Sequence, residues 1–231
     1  MSSFINIIVL SDAHGRLDLI EKILNDVSSK VDLVVYCGDI APYRQHFDTI
    51  SYITKLIKYA ERLNISKILA VPGNVDDPRH YYEASMKNNI FVNLHENFYI
   101  YKEYVFVGFG GSNITPFNTF FENTEDTIEK KLVALLENIN NRNNLVLVTH
   151  VPPHNTKCDV TYSGQHIGST TIRNIIERFK PILVLSGHVH ESRCVDRIGN
   201  TIIVNPGPMS KGYYATVKLG NAVEATLSQV Y

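Results

Sequence analysis

The chain is 231 residues long, 44% hydrophobic, and carries 22 basic and 23 acidic side chains for a formal net charge of -1. That length suits one large domain with a substantial core, and the hydrophobic fraction excludes an intrinsically disordered chain. The near-neutral balance gives no electrostatic drive toward membrane or nucleic acid at large, so nucleic acid enters only as a candidate substrate. No run approaches the roughly 18 apolar residues that span a bilayer, and the apolar run in the first ten residues is too short, with no basic region before it, for a signal peptide. Cys37, Cys158 and Cys194 form no CxxC pair. Their odd number and wide spacing argue against a disulfide framework and suit a reducing cytoplasm, the expected location.

Phe4 to Leu10 is an apolar run broken only by Asn6, a buried first strand followed at once by Ser11-Asp12-Ala13-His14-Gly15. Leu17, Ile20, Ile23, Leu24 and Val27 recur at helical spacing, which predicts a helix over residues 17–29. Leu33-Val34-Val35-Tyr36-Cys37 is a second buried strand, ending abruptly in Gly38-Asp39. Phe47, Ile50, Ile53, Ile57 and Ala60 make the stripe of a longer helix ending near Asn64. Residues 67–71 form a third strand, closed by Pro72-Gly73-Asn74. The alternation β-α-β-α-β predicts parallel pairing through right-handed crossovers.

The middle changes character. Phe98–Tyr101 and Tyr104–Phe109 read as antiparallel strands joined through Lys102-Glu103, and Gly108 to Gly111 with Ser112-Asn113 as a flexible loop. Residues 127–139 form a helix with Ile128, Leu132, Leu135 and Ile139 on one face. Leu145 to Thr149 is a strand ending in His150. Gly168-Ser169 caps a helix that turns Ile172, Ile175, Ile176 and Phe179 inward, with Pro181 beyond its end. Residues 182–185 form a strand ending in Ser186-Gly187-His188-Val189-His190. Two hairpins close the chain, around Gly199-Asn200 and Gly220-Asn221. No repeat or linker interrupts residues 1–231, which predicts a single domain of mixed α and β structure.

Asp12, His14, Asp39, Asn74, His150, His188 and His190 all fall at strand ends, the edge where open α/β sheets bind ligands. These oxygen and nitrogen donors, with no thiolate among them, suit Mn, Fe, Zn or Ni rather than a structural cysteine site. Seven exceed what one tetrahedral ion needs. They suit two ions roughly 3.5–4 Å apart sharing one carboxylate, Asp39, an arrangement that can clamp a phosphate and acidify a bound water. For each motif taken alone a turn or helix cap is the simpler reading. That reading would have to hold at five strand ends at once.

Asp12-x-His14, Gly38-Asp39, Gly73-Asn74, His150 and Gly187-His188-x-His190, in this order, resemble the five motifs of the calcineurin-like metallophosphoesterases. With His150-Val151-Pro152-Pro153 and the short chain, the likeness is to small archaeal and bacterial phosphoesterases related to the cyclic-nucleotide phosphodiesterase group. The resemblance implies a four-layer fold, two mixed β-sheets between helices. It implies that Asp12, His14 and His190 hold one divalent ion, and Asn74, His150 and His188 a second, with Asp39 bridging. It implies catalysis around Asp39, Asn74 and His150, with a metal-bound hydroxide attacking phosphorus and no covalent enzyme intermediate.

One residue departs from the pattern. Many members carry histidine after the motif asparagine, where it helps protonate the leaving group, and Val75 stands there in this chain. Valine cannot donate a proton, and Asp76 is left without its usual partner. His154 and His166, on the loop after His150, are the substitutes this sequence offers. The departure favours a phosphodiesterase. The alternatives are a phosphomonoesterase or cyclic nucleotide phosphodiesterase of narrow specificity, and a non-catalytic scaffold like the retromer's vacuolar-sorting subunit, which has this fold. Asn74, His150, His154 and, from the small-residue loop, Asn113 are the candidate substrate contacts. His46, His80 and His95 lie outside the motifs and read as surface or capping residues, Cys37 as a core thiol. The terminal hairpins offer exposed strands through which a homodimer would pair.

Overall fold

The computed structural model describes residues 4–27 and 31–231. In the first half β1 (Ile5–Leu10), α1 (Leu19–Asp26), β2 (Leu33–Tyr36), α2 (Thr49–Arg62), β3 (Lys67–Ala70), α3 (Pro78–Lys87) and β4 (Phe91–Asn93) follow one another. Next come β5 (Asn97–Tyr101), β6 (Tyr104–Phe109), β7 (Ser112–Asn113), β8 (Glu122–Asn123), α4 (Glu125–Glu137), β9 (Leu145–Thr149), α5 (Thr170–Phe179) and β10 (Leu183–Leu185). The chain ends in β11 (Cys194–Ile198), β12 (Thr201–Asn205), β13 (Tyr213–Leu219) and β14 (Val223–Gln229).

Two six-stranded mixed sheets result, in the orders β14-β13-β1-β2-β3-β4 and β11-β12-β10-β9-β6-β5. Strands β1 to β4 run parallel, as do β6, β9, β10 and β12, and the final hairpin adds β13 antiparallel to β1. Side-chain alternation turns these sheets into layers. Ile5, Ile7 and Val9 of β1 pack with Phe106, Val146 and Leu183 of the second sheet, forming the core between the sheets. Ile8 and Leu10 face the other way, onto Ile20 and Ile53 of α1 and α2. On the far side Val105 and Val107 meet Ile128 of α4 and Ile172 of α5. The order is helix, sheet, sheet, helix, the α/β four-layer arrangement the motifs implied.

Several boundaries differ from the sequence reading. Helix α1 begins at Leu19, and its expected last residues, 28–29, lie outside the described residues. Phe47 sits on a short 3-10 turn (His46–Asp48) before α2, and Leu56 takes a place in the buried stripe. In α4 it is Leu136, not Leu135, that is fully buried. Helix α3 is absent from the sequence reading, although Asp77-Pro78 is a start signal: the Asp77 carboxylate accepts the Arg79 N–H, and Pro78 opens the first turn. The loop expected over residues 108–113 is more ordered than its composition suggests. Gly108 and Phe109 belong to β6, and Ser112–Asn113 pair with β8.

Cys158 and Cys194 correct the cysteine reading. They are joined as a disulfide, their Cα atoms 5.4 Å apart, while Cys37 alone is free and buried. Thirty-six positions separate them in sequence, but the loop after β9 folds back across the start of β11. The argument from spacing therefore fails, and with it the inference of a reducing compartment. Among the described residues no helix is long and apolar enough to cross a membrane.

Candidate metal centre

Five parallel strands, β1, β2, β3, β9 and β10, release their chain at the same edge of the two facing sheets. All seven sequence-predicted ligands follow those strand ends. Backbone hydrogen bonds tie the releasing segments: Asp12 N donates to Gly38 O, His14 N to Asp39 O, and Gly187 N to His150 O. Asp12, His14, Asp39 and His188 all have φ between +44° and +68°. Such left-handed backbone is rare outside glycine, and its concentration on four of seven polar residues marks a site held under local strain. Packing sets the close approach of the second and third loops. A Cβ on Gly73 would lie 2.0 Å from Asp39 Oδ1, so only glycine fits.

The side chains gather in two groups. In the first, His190 Nε2 lies 3.1 Å from Asp12 Oδ1 and 3.2 Å from His14 Nε2. In the second, Asn74 Oδ1 lies 2.8 Å from His150 Nε2 and 3.0 Å from His188 Nδ1, and those two nitrogens are 3.2 Å apart. Asp39 Oδ2 stands between them, 3.9 Å from His14 Nε2 and 3.5 Å from His150 Nε2. Asp12, His14 and His190 meet the spatial requirement for holding an ion, as do Asp12, Asp39 and His150.

Second partners aim each donor. His150 Nδ1 meets the Cys37 carbonyl at 2.6 Å, so Nδ1 carries the proton and Nε2 presents its other side to the cluster. Asn74 donates Nδ2–H to Thr119 Oγ1 at 2.9 Å, which turns its oxygen inward. The His188 N–H binds Asp12 Oδ2 at 3.1 Å and the Val75 N–H binds Asp39 Oδ1 at 3.0 Å, leaving the opposite oxygen of each carboxylate for the cluster.

The donor set fits divalent ions. Nitrogen and oxygen ligands about 2.0–2.1 Å from one ion, at tetrahedral or octahedral angles, stand about 2.8–3.4 Å from each other. The three spacings of the second group and both spacings of His190 in the first fall in this range, while His14 Nε2 and Asp12 Oδ1 are 3.9 Å apart. An amide oxygen facing two imidazole nitrogens brings acceptors together, which is stable only around a proton or a cation. Without metal the protons do part of that work. Burial opposes charge on His150, but the Asp39 carboxylate outweighs it and raises the imidazole to about 9. Burial and the neighbouring His150 push His188 down to about 4. Burial works against Asp12 and Asp39 too, yet His190 and His150 respectively hold them below the usual carboxylate range.

The remaining candidates lie elsewhere. His166 Nδ1 meets Asp159 Oδ1 at 2.7 Å, and His154 Nδ1 lies 3.6 Å from Asp159 Oδ2. Both imidazoles are thus turned onto a buried carboxylate that also accepts the N–H groups of Asn155, Thr156 and Gly168. Asn113 directs Nδ2 to the Ile167 carbonyl at 3.4 Å, joining that loop to the β7 ribbon. Asp76 is not left unpartnered by Val75. It is buried and accepts from the N–H groups of Ile40, Ala41 and Gly73 and from Tyr81 Oη. His95 is a packing residue rather than a surface one: its Nδ1 accepts the Gly110 N–H and its ring lies edge-on to Phe109 and Phe121. Sequence reasoning missed Thr119 and Tyr43, whose ring stacks on His14 with centroids 4.3 Å apart. Neither sits in a motif, and no periodicity marks them.

Comparison with known proteins gives three findings. A family model described as calcineurin-like phosphoesterase matches residues 5–192. An uncharacterized protein of Methanocaldococcus jannaschii is 38% identical over 222 residues, covering 94% of this chain and 95% of that one. Among solved structures, the protein TT1561 of Thermus thermophilus superposes with a TM-score of 0.70 at 20% identity, covering 97% of this chain and 99% of that one. A phosphopantetheinyl hydrolase from Mycobacterium tuberculosis gives 0.60 at 15% identity, covering 87% and 88%. At these identities the two structures speak for the fold alone.

Proposed function

Because the chain belongs to the calcineurin-like phosphoesterase family, we propose that it hydrolyses phosphodiesters with two divalent ions held at the strand-end cluster. The observation that carries this reading is the convergence of all seven donors into two groups linked by one carboxylate. Asp12, His14 and His190 would hold one ion, Asn74, His150 and His188 the other, and Asp39 both. Imidazole with carboxylate suits Mn, Fe, Zn or Ni. When bound, such ions polarise the phosphoryl oxygens and acidify water.

The chain's own residues set what the ions can reach. Asp39 is fixed by the Val75 N–H and by exclusion of any side chain at Gly73, so Oδ2 stays between the groups. Asn74 is held by Thr119, and His150 by the Cys37 carbonyl. The Val75 side chain supplies no proton to a departing oxygen, and His154 and His166 are engaged by Asp159. A substrate whose leaving group departs with little protonation suits this site, and the diester preference follows by analogy with small phosphodiesterases of the family that lack histidine at the position of Val75. The complete donor set gives the scaffold reading no support.

The test is hydrolysis of bis-p-nitrophenyl phosphate beside p-nitrophenyl phosphate by protein stripped and reloaded with Mn, Ni, Zn or Mg. Diester cleavage well above monoester cleavage, lost in Asp39→Asn, is the expected result. Equal or greater monoester cleavage overturns the diester preference. No cleavage above the Asp39→Asn control overturns the enzyme.

A further inference from the structure

Exposed aromatic rings are tied to residues of both candidate ligand groups. Tyr43 is 58% exposed, yet its ring lies nearly parallel to His14, at 13° and 4.3 Å. On the other side, Thr119 holds Asn74 through its side chain, while Phe121 N donates to Asn74 O at 2.9 Å. Phe120 lies between these two contacts and is 46% exposed. One face of Phe120 stacks on His46 at 3.8 Å and 12°, and Phe47, 68% exposed, meets the edge of His46. The segment after Asp39 thus carries Tyr43, His46 and Phe47, and it meets the segment hung on Asn74 through a ring stack.

Water is a poor environment for such rings, and a cluster of them beside a polar site marks a surface built to be covered. What covers it must also present an anion to the cluster. Between Tyr43 and His46 stands Arg44, exposed and held at φ +62°; among the described residues it makes no ion pair. A planar, stackable group attached to a phosphate meets all of these requirements.

We propose that Phe120 and Tyr43 form a base-stacking rim, and that the substrate is a nucleoside-bearing phosphodiester whose base lies on Phe120 while its phosphate enters the cluster. The proposal rests on the phosphoesterase reading but adds the chemical class of the ester group. Arg44 neutralises charge on the nucleotide, and the His46 stack keeps Phe120 flat against the base. Base–aromatic stacking is worth about 5- to 150-fold in affinity for each ring removed.

The experiment compares thymidine 5′-(p-nitrophenyl phosphate) with methyl p-nitrophenyl phosphate on Mn-loaded protein. Both release p-nitrophenolate as water adds to phosphorus, so only the second ester group differs. The thymidine ester should be preferred in kcat/KM by at least about tenfold. Phe120→Ala should lower that preference about 5- to 150-fold through KM, and Phe120→Trp should keep it. Equal rates on the two esters, or a loss in Phe120→Ala that is the same for both, overturns the proposal. So does a protein whose self-association, rather than base preference, is lost in Phe120→Ala, since the rim would then be covered by a second copy. If neither ester is cleaved the hydrolytic reading fails by itself, and calorimetric binding of AMP decides the rim. Weaker AMP binding by Phe120→Ala upholds it; no binding, or unchanged binding, overturns it.

Discussion

The backbone N–H of His188 donates to Asp12 Oδ2 at 3.1 Å, joining residues 176 positions apart. The contact ties the end of a strand in the second sheet to a candidate ligand at the end of a strand in the first. It needs bare backbone beside His188: a Cβ on Gly187 would lie 1.8 Å from Ser11 Oγ and 2.6 Å from Asp12 Oδ2. Gly187→Ala should therefore displace the His188 loop and weaken Mn binding by at least about tenfold, the usual cost of losing ligand support. Calorimetric metal titration measures this, and circular dichroism shows whether the sheets persist. Unchanged affinity in a folded variant would mean the two segments do not depend on each other.

Thr119 turns Asn74 toward the cluster without touching an ion itself. Its Oγ1 receives the Asn74 Nδ2–H and donates to Glu122 Oε1 at 2.5 Å. Thr119→Val keeps the shape and removes both bonds. A loss of about 10- to 100-fold in metal affinity or kcat is expected, with Thr119→Ser restoring most of it. Parallel titrations of the two variants separate aim from bulk.

The fall in stability that His150 imposes as pH rises should vanish with metal, because neither the metal-loaded fold nor the unfolded chain carries its proton above about pH 6.5. His150 is raised in the folded protein to about 9, against burial and because of Asp39. Its protonated form stabilises the metal-free fold fully below the unfolded value near 6.5, and this is lost as pH rises through about 9. His188, held down to about 4, stays neutral across that window. The metal-free Tm should fall between about pH 6.5 and 9. A metal ion must displace the His150 proton, so apparent affinity should rise about tenfold per pH unit for each proton displaced. Scanning calorimetry with and without Mn checks both slopes, and a metal-free Tm that climbs as the solution becomes more alkaline would contradict the His150–Asp39 assignment.

Asp76 ties the loop after β2 and the first turns of α3 to its own loop. It accepts backbone N–H groups from Ile40, Ala41 and Gly73, plus Tyr81 Oη. Burial, then the charge of Asp39, raises its pKa, so its contribution is strongest at low pH and declines as pH rises through the folded value. Asp76→Asn places an amide against one of those donors and should cost about 1–3 kcal/mol in urea denaturation at neutral pH. Asp76→Ala, which leaves all four donors without an acceptor, should cost more.

The Cys158–Cys194 bridge closes a loop that begins just after His150 and ends just after His190. A loop of that length is worth about 2–4 kcal/mol when cross-linked. Reduction, or Cys158→Ala with Cys194→Ala, should lower stability by that amount in denaturant titration while Cys37 stays unalkylated in the native state. Burial shields Cys37 and pushes its thiol well above the ordinary range. Two alkylatable thiols in native, unreduced protein would contradict the bridge.

The seven candidate ligands are readable because each is a polar residue placed within a few positions of the end of an apolar run. A parallel sheet must deliver such residues to one edge, so the sequence by itself determined the parallel pairing of the first three strands and the candidate donor set, and through its family resemblance the four layers. It also determined the absence of a proton-donating side chain at Val75. The tertiary structure alone decided what touches the site from elsewhere. Tyr43, Thr119 and Phe120 lie on irregular segments with no periodic pattern, and their contacts with His14, Asn74 and His46 are set by how separate loops close over one edge. The cysteine pair escapes a sequence reading for the same reason: spacing along a chain does not measure distance once a long loop folds back on its sheet. Local preference writes the strands and their ends, whereas long-range packing chooses which loop meets which, and nothing local encodes that choice.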